Sequence, residues 1–550
     1  MVNRLPFEEL PRDNRFVLEP CAGHGVFLVA ALRRLRDLLP TSWTDTERHI
    51  YLKKRLKAIE IDAFAAEVCR LSLMLADYPN PDGWRIISQD IFGSDALEKE
   101  LPECKIVLCN PPFEDFTDRE RSLYGNRIQS VHKPYEILQR VLNHPPGLLG
   151  FVLPKSAIIG GRYSELQSRI ARHYTNIETV ALPDRVFVFS DQETMLVLAS
   201  RPDPKGDAEV FTKTFWVGEE DREPFLKTGR LPEAVKKITS RALIQKAHRD
   251  LWNPPLWEIW EYLTEFPKLK AYAEIHRGIE WNIPLQENEG LLIAPEPKQG
   301  FKMGIDKVPG KLEPYWIEGI VYLNLNRKYK RTNAHDLPWQ KAKVIVSRRR
   351  VSRGPWRIIG FPDSKGLVAR ETLIGVWPKG NIDIFIISAL INSPLANAFL
   401  YSKVYGRDNA IHTLGDIPIS PRLGNNRLAF LIEQYMNYRA TMKAGYLNAS
   451  VIGTCVEILR ELDSIVLKAY DLPPRLERKL LDFFRGYHRP VPFPFPDYFP
   501  EDFQPCIPLH KYLEMDMKRA SAGELLKRIK PLDSEEIHEF VLDIEERQMG

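Results

Sequence analysis

The stretch from Arg15 to Leu39 constrains the fold more than any other. RFVLEP (15–20) is a short apolar run with the character of a buried strand, and FLVAALRRLRDLL (27–39) has apolar positions at helical spacing. Between them lies CAGHG, where Gly23 and Gly25 allow a tight strand-to-helix turn. The pairing repeats: KAIEID (57–62) precedes AFAAEVCRLSLMLADY (63–78). WRIISQDIF (84–92), KIVLCNPPF (105–113), GLLGFVLP (147–154) and ETMLVLAS (193–200) continue the series. Strands alternating with helices of this length predict the α/β class, with a Rossmann-like, doubly wound parallel sheet over residues 1–250.

A chain of 550 residues is too long for one core. From 251 to 425 the runs GLLIA (290–294), GIVYLNL (319–325), AKVIVSRRR (342–350) and WRIIGFP (356–362) are broken by Pro, Gly and Asn. They predict a mainly β domain with a helical insert at 382–401. Helical patterns return over 426–550, at 426–440, 454–470 and 475–485, followed by a Pro- and Phe-rich passage (490–500). In the tail, Ser521 to Glu524 and Asp533 to Glu536 have capping-box spacing, and Ile537, Phe540, Val541 and Ile544 share one helical face. That face fits docking on its own chain or on a partner.

The six cysteines have no CxxC spacing and no nearby histidine cluster, so reduced thiols and no metal site are expected. Charges at Arg4, Glu8, Glu9, Arg12, Asp13 and Arg15 interrupt any signal-peptide pattern. The most apolar run, 382–401, contains Asp383, Asn392, Pro394 and Asn397 and reads as core, not as a membrane span. These features predict a soluble cytoplasmic protein. The net charge of +4 excludes little; the placement of the basic residues matters more.

Acidic residues recur at successive strand ends. Glu19 precedes the glycine turn, Glu60 and Asp62 end the second strand, and Asp90 follows the third. In doubly wound folds a carboxylate after the second strand accepts from ribose hydroxyls, and one after the third can accept from an adenine amine. Asn110-Pro111-Pro112-Phe113 then follows the fourth strand. Two prolines stiffen the chain so that the Asn110 and Pro111 carbonyls stand as fixed acceptors, with an aromatic ring alongside. Acceptors for amine hydrogens and a face for stacking are what a flipped base requires.

EPCAGHGVFL, IEID, NPPF and GLLGFVLPKSAI stand in an order that resembles the gamma-class amino-methyltransferases. These are the N6-adenine DNA methyltransferases of restriction–modification systems, including type IIG and related phage-defence enzymes. The turn begins EP where that family usually has DP, His24 replaces Ser or Ala, and Ala22 replaces a common Gly. The resemblance implies S-adenosylmethionine as cofactor. Glu19, Pro20, Ala22, Gly23 and Gly25 would lie at its methionine part, Glu60 and Ile61 at its ribose, and Asp90 and Ile91 at its adenine. Asn110 and Pro111 would accept from the target N6, and Pro112 would stiffen that loop. Phe113 would stack on the flipped base, with Phe187 a weaker match for the ring closing the pocket from the other side.

NPPF also occurs in enzymes that methylate guanine N2 in RNA or a glutamine side chain in proteins, so the second domain must discriminate. IHRGIEWN (275–282), INSPLANAFL (391–400) and DIPIS (416–420) resemble the target-recognition domain that follows TaqI-type methyltransferases. Within it, 341–357 holds seven basic residues, no acidic one, and Trp356. Of these, Lys343, Arg348, Arg349, Arg350 and Arg353 are candidate DNA contacts. Arg327, Lys328, Lys330 and Arg331 around Tyr329 form a second patch. Double-stranded DNA is the expected partner. The family usually places a further helical cofactor-binding segment before the glycine turn, where this chain has about 15 residues. Either this chain starts late, or a companion subunit or a circularly shifted segment supplies that wall, and because no PD-(D/E)xK pattern is present, restriction activity would sit on a nuclease or defence partner. A non-catalytic DNA-binding specificity subunit and an RNA amino-methyltransferase stay open as alternatives.

Overall fold

The computed structural model describes residues 1–155, 164–183, 186, 193–203, 208–232, 234–239, 254–306, 312–404, 408–424, 426–444 and 449–514. Its chain forms two compact units, residues 1–255 with 403–406 and residues 256–402 with 407–550. The tail motifs expected at 521–544 lie outside the described residues.

In the first unit nine strands form one sheet: β1 (Val17–Glu19), β2 (Leu56–Glu60), β3 (Arg85–Ser88), β4 (Ile106–Cys109), β5 (Leu148–Pro154), β6 (Tyr174–Ala181), β7 (Thr194–Pro202), β8 (Val210–Trp216) and β9 (Val235–Thr239). Their order is β3-β2-β1-β4-β5-β7-β6-β8-β9. The first five are mutually parallel, with Val17 opposite both Leu56 and Ile106. The expectation that 193–200 continues the parallel series is corrected: β7 runs antiparallel, wedged between β5 and β6. It follows the unanticipated β6 in the chain and lies directly beside it as an antiparallel partner.

Strand residues alternate between two cores, as a sheet covered on both faces requires. Val17, Ala58, Ile106 and Leu108 face one cluster, and Leu18, Ile59, Val107 and Cys109 the other. The first face is covered by α1 (Val26–Asp37), α2 (Asp45–Arg55) and α3 (Ala63–Ala76). In α1, Leu28, Ala31, Leu32 and Leu35 are buried at i, i+3, i+4, i+7 spacing, and each fully buried leucine contributes roughly 1.5–3 kcal/mol. The second face receives α4 (Ala96–Glu100) and, beyond α5 (Asp118–Tyr124), α6 (Lys133–Val141).

The second unit holds two four-stranded sheets. One is antiparallel throughout, in the order Ala273–Arg277, Leu373–Pro378, Lys343–Ser347, Gly360–Asp363. The other runs Ile293–Ala294, Val321–Asn324, Phe301–Ile305, Val368–Ala369. They share a core that includes Ile305, Leu323, Ile345, Phe361 and Trp377. Helices Asn426–Lys443 and Ala449–Tyr470 belong to this same unit. Among the described residues no single helix is long and apolar enough to cross a membrane. The apolar run at 382–401 forms two helices bent by 61°.

Polar residues in this unit explain why its motifs read as they do. The Asn392 amide exchanges hydrogen bonds with both backbone groups of Gly360, at 2.9 and 2.8 Å. Asn397 Oδ1 accepts from the Arg357 and Ile358 N–H groups at 2.7 and 2.8 Å. INSPLANAFL thus satisfies a buried, irregular strand entry. In IHRGIEWN, a Cβ on Gly278 would lie 2.0 Å from the Arg370 carbonyl oxygen, so only glycine fits that close approach.

Candidate functional site

Strands β1 to β4 end on one edge, and the strand order reverses between β1 and β4. The crevice outside the carboxyl ends of such a switch is where this topology leaves room for a ligand. A cleft of about 470 Å³ lies there. Its lining includes Pro20, Cys21 and Gly23 after β1, Glu60 and Ile61 after β2, Asp90 and Ile91 after β3, and Asn110, Pro111 and Pro112 after β4.

The two glycines serve different ends. Gly23 has φ +50° and no atom within 4 Å of where a Cβ would stand, so it leaves space at the cleft. Gly25, at φ +77°, allows α1 to close on α3, because a Cβ there would meet Cys69 Sγ at 2.5 Å. Glu19, Ala22 and Gly25 do not line the cleft; they build the turn from behind. Glu19 is 2% exposed, and its Oε2 accepts from the Leu28 N–H in the first turn of α1 at 3.1 Å. Burial pushes its carboxyl well above the usual range, partly offset by that N–H.

Glu60 ties the turn to the next loop. Its Oε2 accepts from the Gly23 N–H at 2.7 Å and its Oε1 from the Asp62 N–H at 2.9 Å. Asp62 in turn caps α3 through the Ala65 N–H at 2.8 Å. Asp90 Oδ1 accepts from the Phe92 N–H and Oδ2 from the Tyr124 hydroxyl, both at 2.9 Å. Asn110 is exposed at the end of β4, and its side-chain amide makes no hydrogen bond among the described residues. Pro111 behind it is buried. Phe113 is half-buried but does not line the cleft. Phe187 lies outside the described residues.

Gln89, Phe92, Glu114, Glu120, Tyr124 and Lys133 complete the lining, and none was among the expected site residues. Lys133 Nζ stands between Glu114 Oε2 at 3.1 Å and Glu120 Oε1 at 2.9 Å. The Lys133 ammonium and the Thr117 backbone and hydroxyl hold the Glu120 carboxyl down to about 2. One local signal marks this segment: Thr117 and Glu120 form a capping box that starts α5 four residues beyond Phe113.

The basic stretch of the second unit divides sharply. Lys343 is fully buried, and its ammonium donates to Asp363 Oδ2 and the Trp339 carbonyl, both at 2.5 Å. It is a core ion pair and is withdrawn from the DNA contacts. Trp356 is also core, 4.3 Å from the Phe484 ring centroid and 4.7 Å beneath the Arg489 guanidinium. Arg357 is 2% exposed. Arg348 is paired with Asp408 and donates to the Glu371 carbonyl at 3.1 Å. Arg349 is exposed, and Arg350 and Arg353 are half-buried. In the second patch Arg327 and Arg331 are largely exposed but paired with Asp336 at 3.5 Å and Glu280 at 2.8 Å, and Lys330 is also paired with Asp336.

A doubly wound sheet with a glycine turn after β1, carboxylates after β2 and β3, and an Asn-Pro-Pro-Phe loop after β4 defines a Rossmann-like domain with an open cleft at the carboxyl edge of its sheet. Residues 12–93 match the model of the DNA-methyltransferase domain of MmeI. The resemblance read from the sequence stands, and the match spans the turn, β2 and Asp90. The type IIL restriction–modification enzyme MmeI, solved in complex with DNA, is similar to this chain with a TM-score of 0.52 and 13% identity. That likeness covers 86% of this chain and 73% of the other. A nuclease-deletion mutant of the type ISP restriction–modification enzyme LlaGI, in complex with a DNA substrate mimic, gives 0.51 and 12%, covering 77% of this chain and 45% of that one. At these identities the likeness establishes the fold, and the chain spans less than half the LlaGI length. Comparison with curated protein sequences gives no match.

Proposed function

We propose that this chain is a restriction–modification DNA methyltransferase that carries a methyl group from S-adenosylmethionine to the N6 amine of adenine. The observation that carries this reading is the convergence of Gly23, Glu60, Asp90 and Asn110–Pro111 on one cleft. The residues fit the cofactor: an open glycine turn, a carboxylate for ribose hydroxyls, a second for a purine amine, and apolar surface from Ile61 and Ile91. Bound S-adenosylmethionine supplies an electrophilic methyl group on a sulfonium.

The chain's own residues do the rest. Glu19 supports the turn at the methionine end. The Asn110 side-chain oxygen and the Pro111 carbonyl accept from the target amine, which turns its lone pair out of conjugation and toward the methyl. With S-adenosylmethionine bound, transfer would be a direct displacement that releases S-adenosylhomocysteine and gives the amine proton to solvent, with orientation and electrostatics supplying the rate. The base reaches the cleft by flipping out of the duplex, with Phe113 and Phe187 as stacking surfaces. Arg348, Arg349, Arg350 and Arg353 contact DNA phosphates or base edges.

Incubation with labelled S-adenosylmethionine and mixed-sequence DNA tests this. Label is expected in N6-methyladenine and is expected to be lost in Asn110→Ala. DNA retention without label, with or without host proteins, would instead assign a DNA-binding specificity subunit. Transfer to tRNA or rRNA but not DNA would assign an RNA enzyme.

A further inference from the structure

The cleft has a wall built by the segment that follows the Asn-Pro-Pro-Phe loop. Residues 114–132 carry Tyr124 to the Asp90 side of the cleft, where its hydroxyl donates to Asp90 Oδ2 at 2.9 Å. The phenol is held by its neighbours, with the Phe92 and Phe116 ring centroids at 5.8 and 5.9 Å. Burial and the Asp90 carboxylate push its hydroxyl up to about 12, so it stays a donor at neutral pH.

A buried pair on α6 locks the wall to the Asp90 loop. Glu136 Oε2 accepts from the Gln129 and Ser130 N–H groups at 2.8 and 2.9 Å. Glu136 Oε1 accepts from Arg140 Nε at 2.9 Å, and Arg140 Nη1 donates to the Ile91 carbonyl at 2.7 Å. The remaining Arg140 nitrogen, Nη2, donates to the Arg127 carbonyl. One guanidinium therefore joins Ile91, the residue after Asp90, to Arg127, three residues beyond Tyr124.

An ionised carboxylate has about four acceptor positions. At Asp90 the Phe92 N–H takes one on Oδ1 and Tyr124 takes one on Oδ2. The terminal torsion of an aspartate is otherwise broad, so two donors on opposite oxygens fix the carboxylate plane and leave one position on each oxygen. We infer that Tyr124 is a positioning residue for purine recognition: it orients Asp90 so that a free acceptor position receives the exocyclic amine of the cofactor's adenine. This deepens the proposed function and rests on it. A 6-oxo purine offers an acceptor where adenine offers a donor, so the fixed carboxylate rejects it.

Calorimetric titration of the full chain with S-adenosylhomocysteine and with S-inosylhomocysteine tests this. The native chain should prefer the adenosyl compound, and Tyr124→Phe should lower that preference roughly tenfold, the scale of one charge-assisted hydrogen bond. The phenyl ring keeps the contacts with Phe92 and Phe116, so any fall in melting temperature should be limited to the loss of that one hydrogen bond. A selectivity ratio unchanged in Tyr124→Phe, with native binding intact, overturns the inference and leaves the cofactor reading standing. No binding of S-adenosylhomocysteine by the native chain overturns both.

Discussion

Substituting Gly25 by alanine should destabilise the first unit through two separable effects. The backbone there has φ +77°, and forcing an L-residue into the left-handed region costs about 1–2 kcal/mol. The new Cβ would also stand 2.5 Å from the sulfur of Cys69, a fully buried thiol that burial pushes up to about 12 and so keeps neutral. Relieving such an overlap in a packed interior costs roughly 1–3 kcal/mol, giving about 2–5 kcal/mol in all. The two parts separate in a double-mutant cycle. Cys69→Ala removes the sulfur but keeps its Cβ, which stands at an ordinary 3.4 Å. Gly25→Ala/Cys69→Ala should therefore recover the overlap and retain only the backbone part. Hydrogen exchange of peptides from β1, α1 and α3 reports the free energy of opening this unit in the full chain. A double mutant equal to the sum of the singles within about 0.5 kcal/mol would show that α1 does not close on α3 through Gly25.

Lys343→Met leaves the Asp363 carboxylate buried without its cation, and should lower the urea stability of the second unit by about 3–5 kcal/mol. A change confined to DNA binding would restore Lys343 to the surface. Arg349→Ala should leave the melting temperature alone and reduce the slope of log K against log salt by about 0.9, the value of one phosphate contact on duplex DNA. An unchanged slope would remove it from the interface. Glu477 accepts from the Leu509 N–H at 2.6 Å, and burial pushes its carboxyl up to about 7. The folded state thus binds its proton more tightly than the unfolded state, so its contribution is full below the ordinary carboxylate value of 4.5 and lost as pH rises through about 7. Glu477→Gln should flatten that decline between pH 5 and 8. Melting temperatures offset equally at every pH would refute it.

Much of the first unit is legible along the chain because its information is local. Strand runs, helical spacing and the glycines of the turn depend on neighbours within about a dozen residues. Parallel strands then bring the residues after each strand to one edge, which is why Gly23, Glu60, Asp90 and Asn110 were named before their cleft was known. Periodicity does not carry direction, however, so β7 looked like another parallel strand. Nor does it carry the partners of charged and aromatic side chains. Lys343 reads as a phosphate contact until the strand Gly360–Asp363 pairs with its own and delivers Asp363. Trp356 reads as part of the basic, DNA-facing stretch until Phe484 covers it. The capping box before Tyr124 marks its helix but not its partner, since the contact forms only when that segment folds back 34 residues to Asp90. Sequence alone determined the alternation of elements and the chemistry offered at the strand ends. Tertiary structure alone decided which polar groups are buried against each other and which stay free for a ligand, because desolvation and pairing depend on contacts between distant segments.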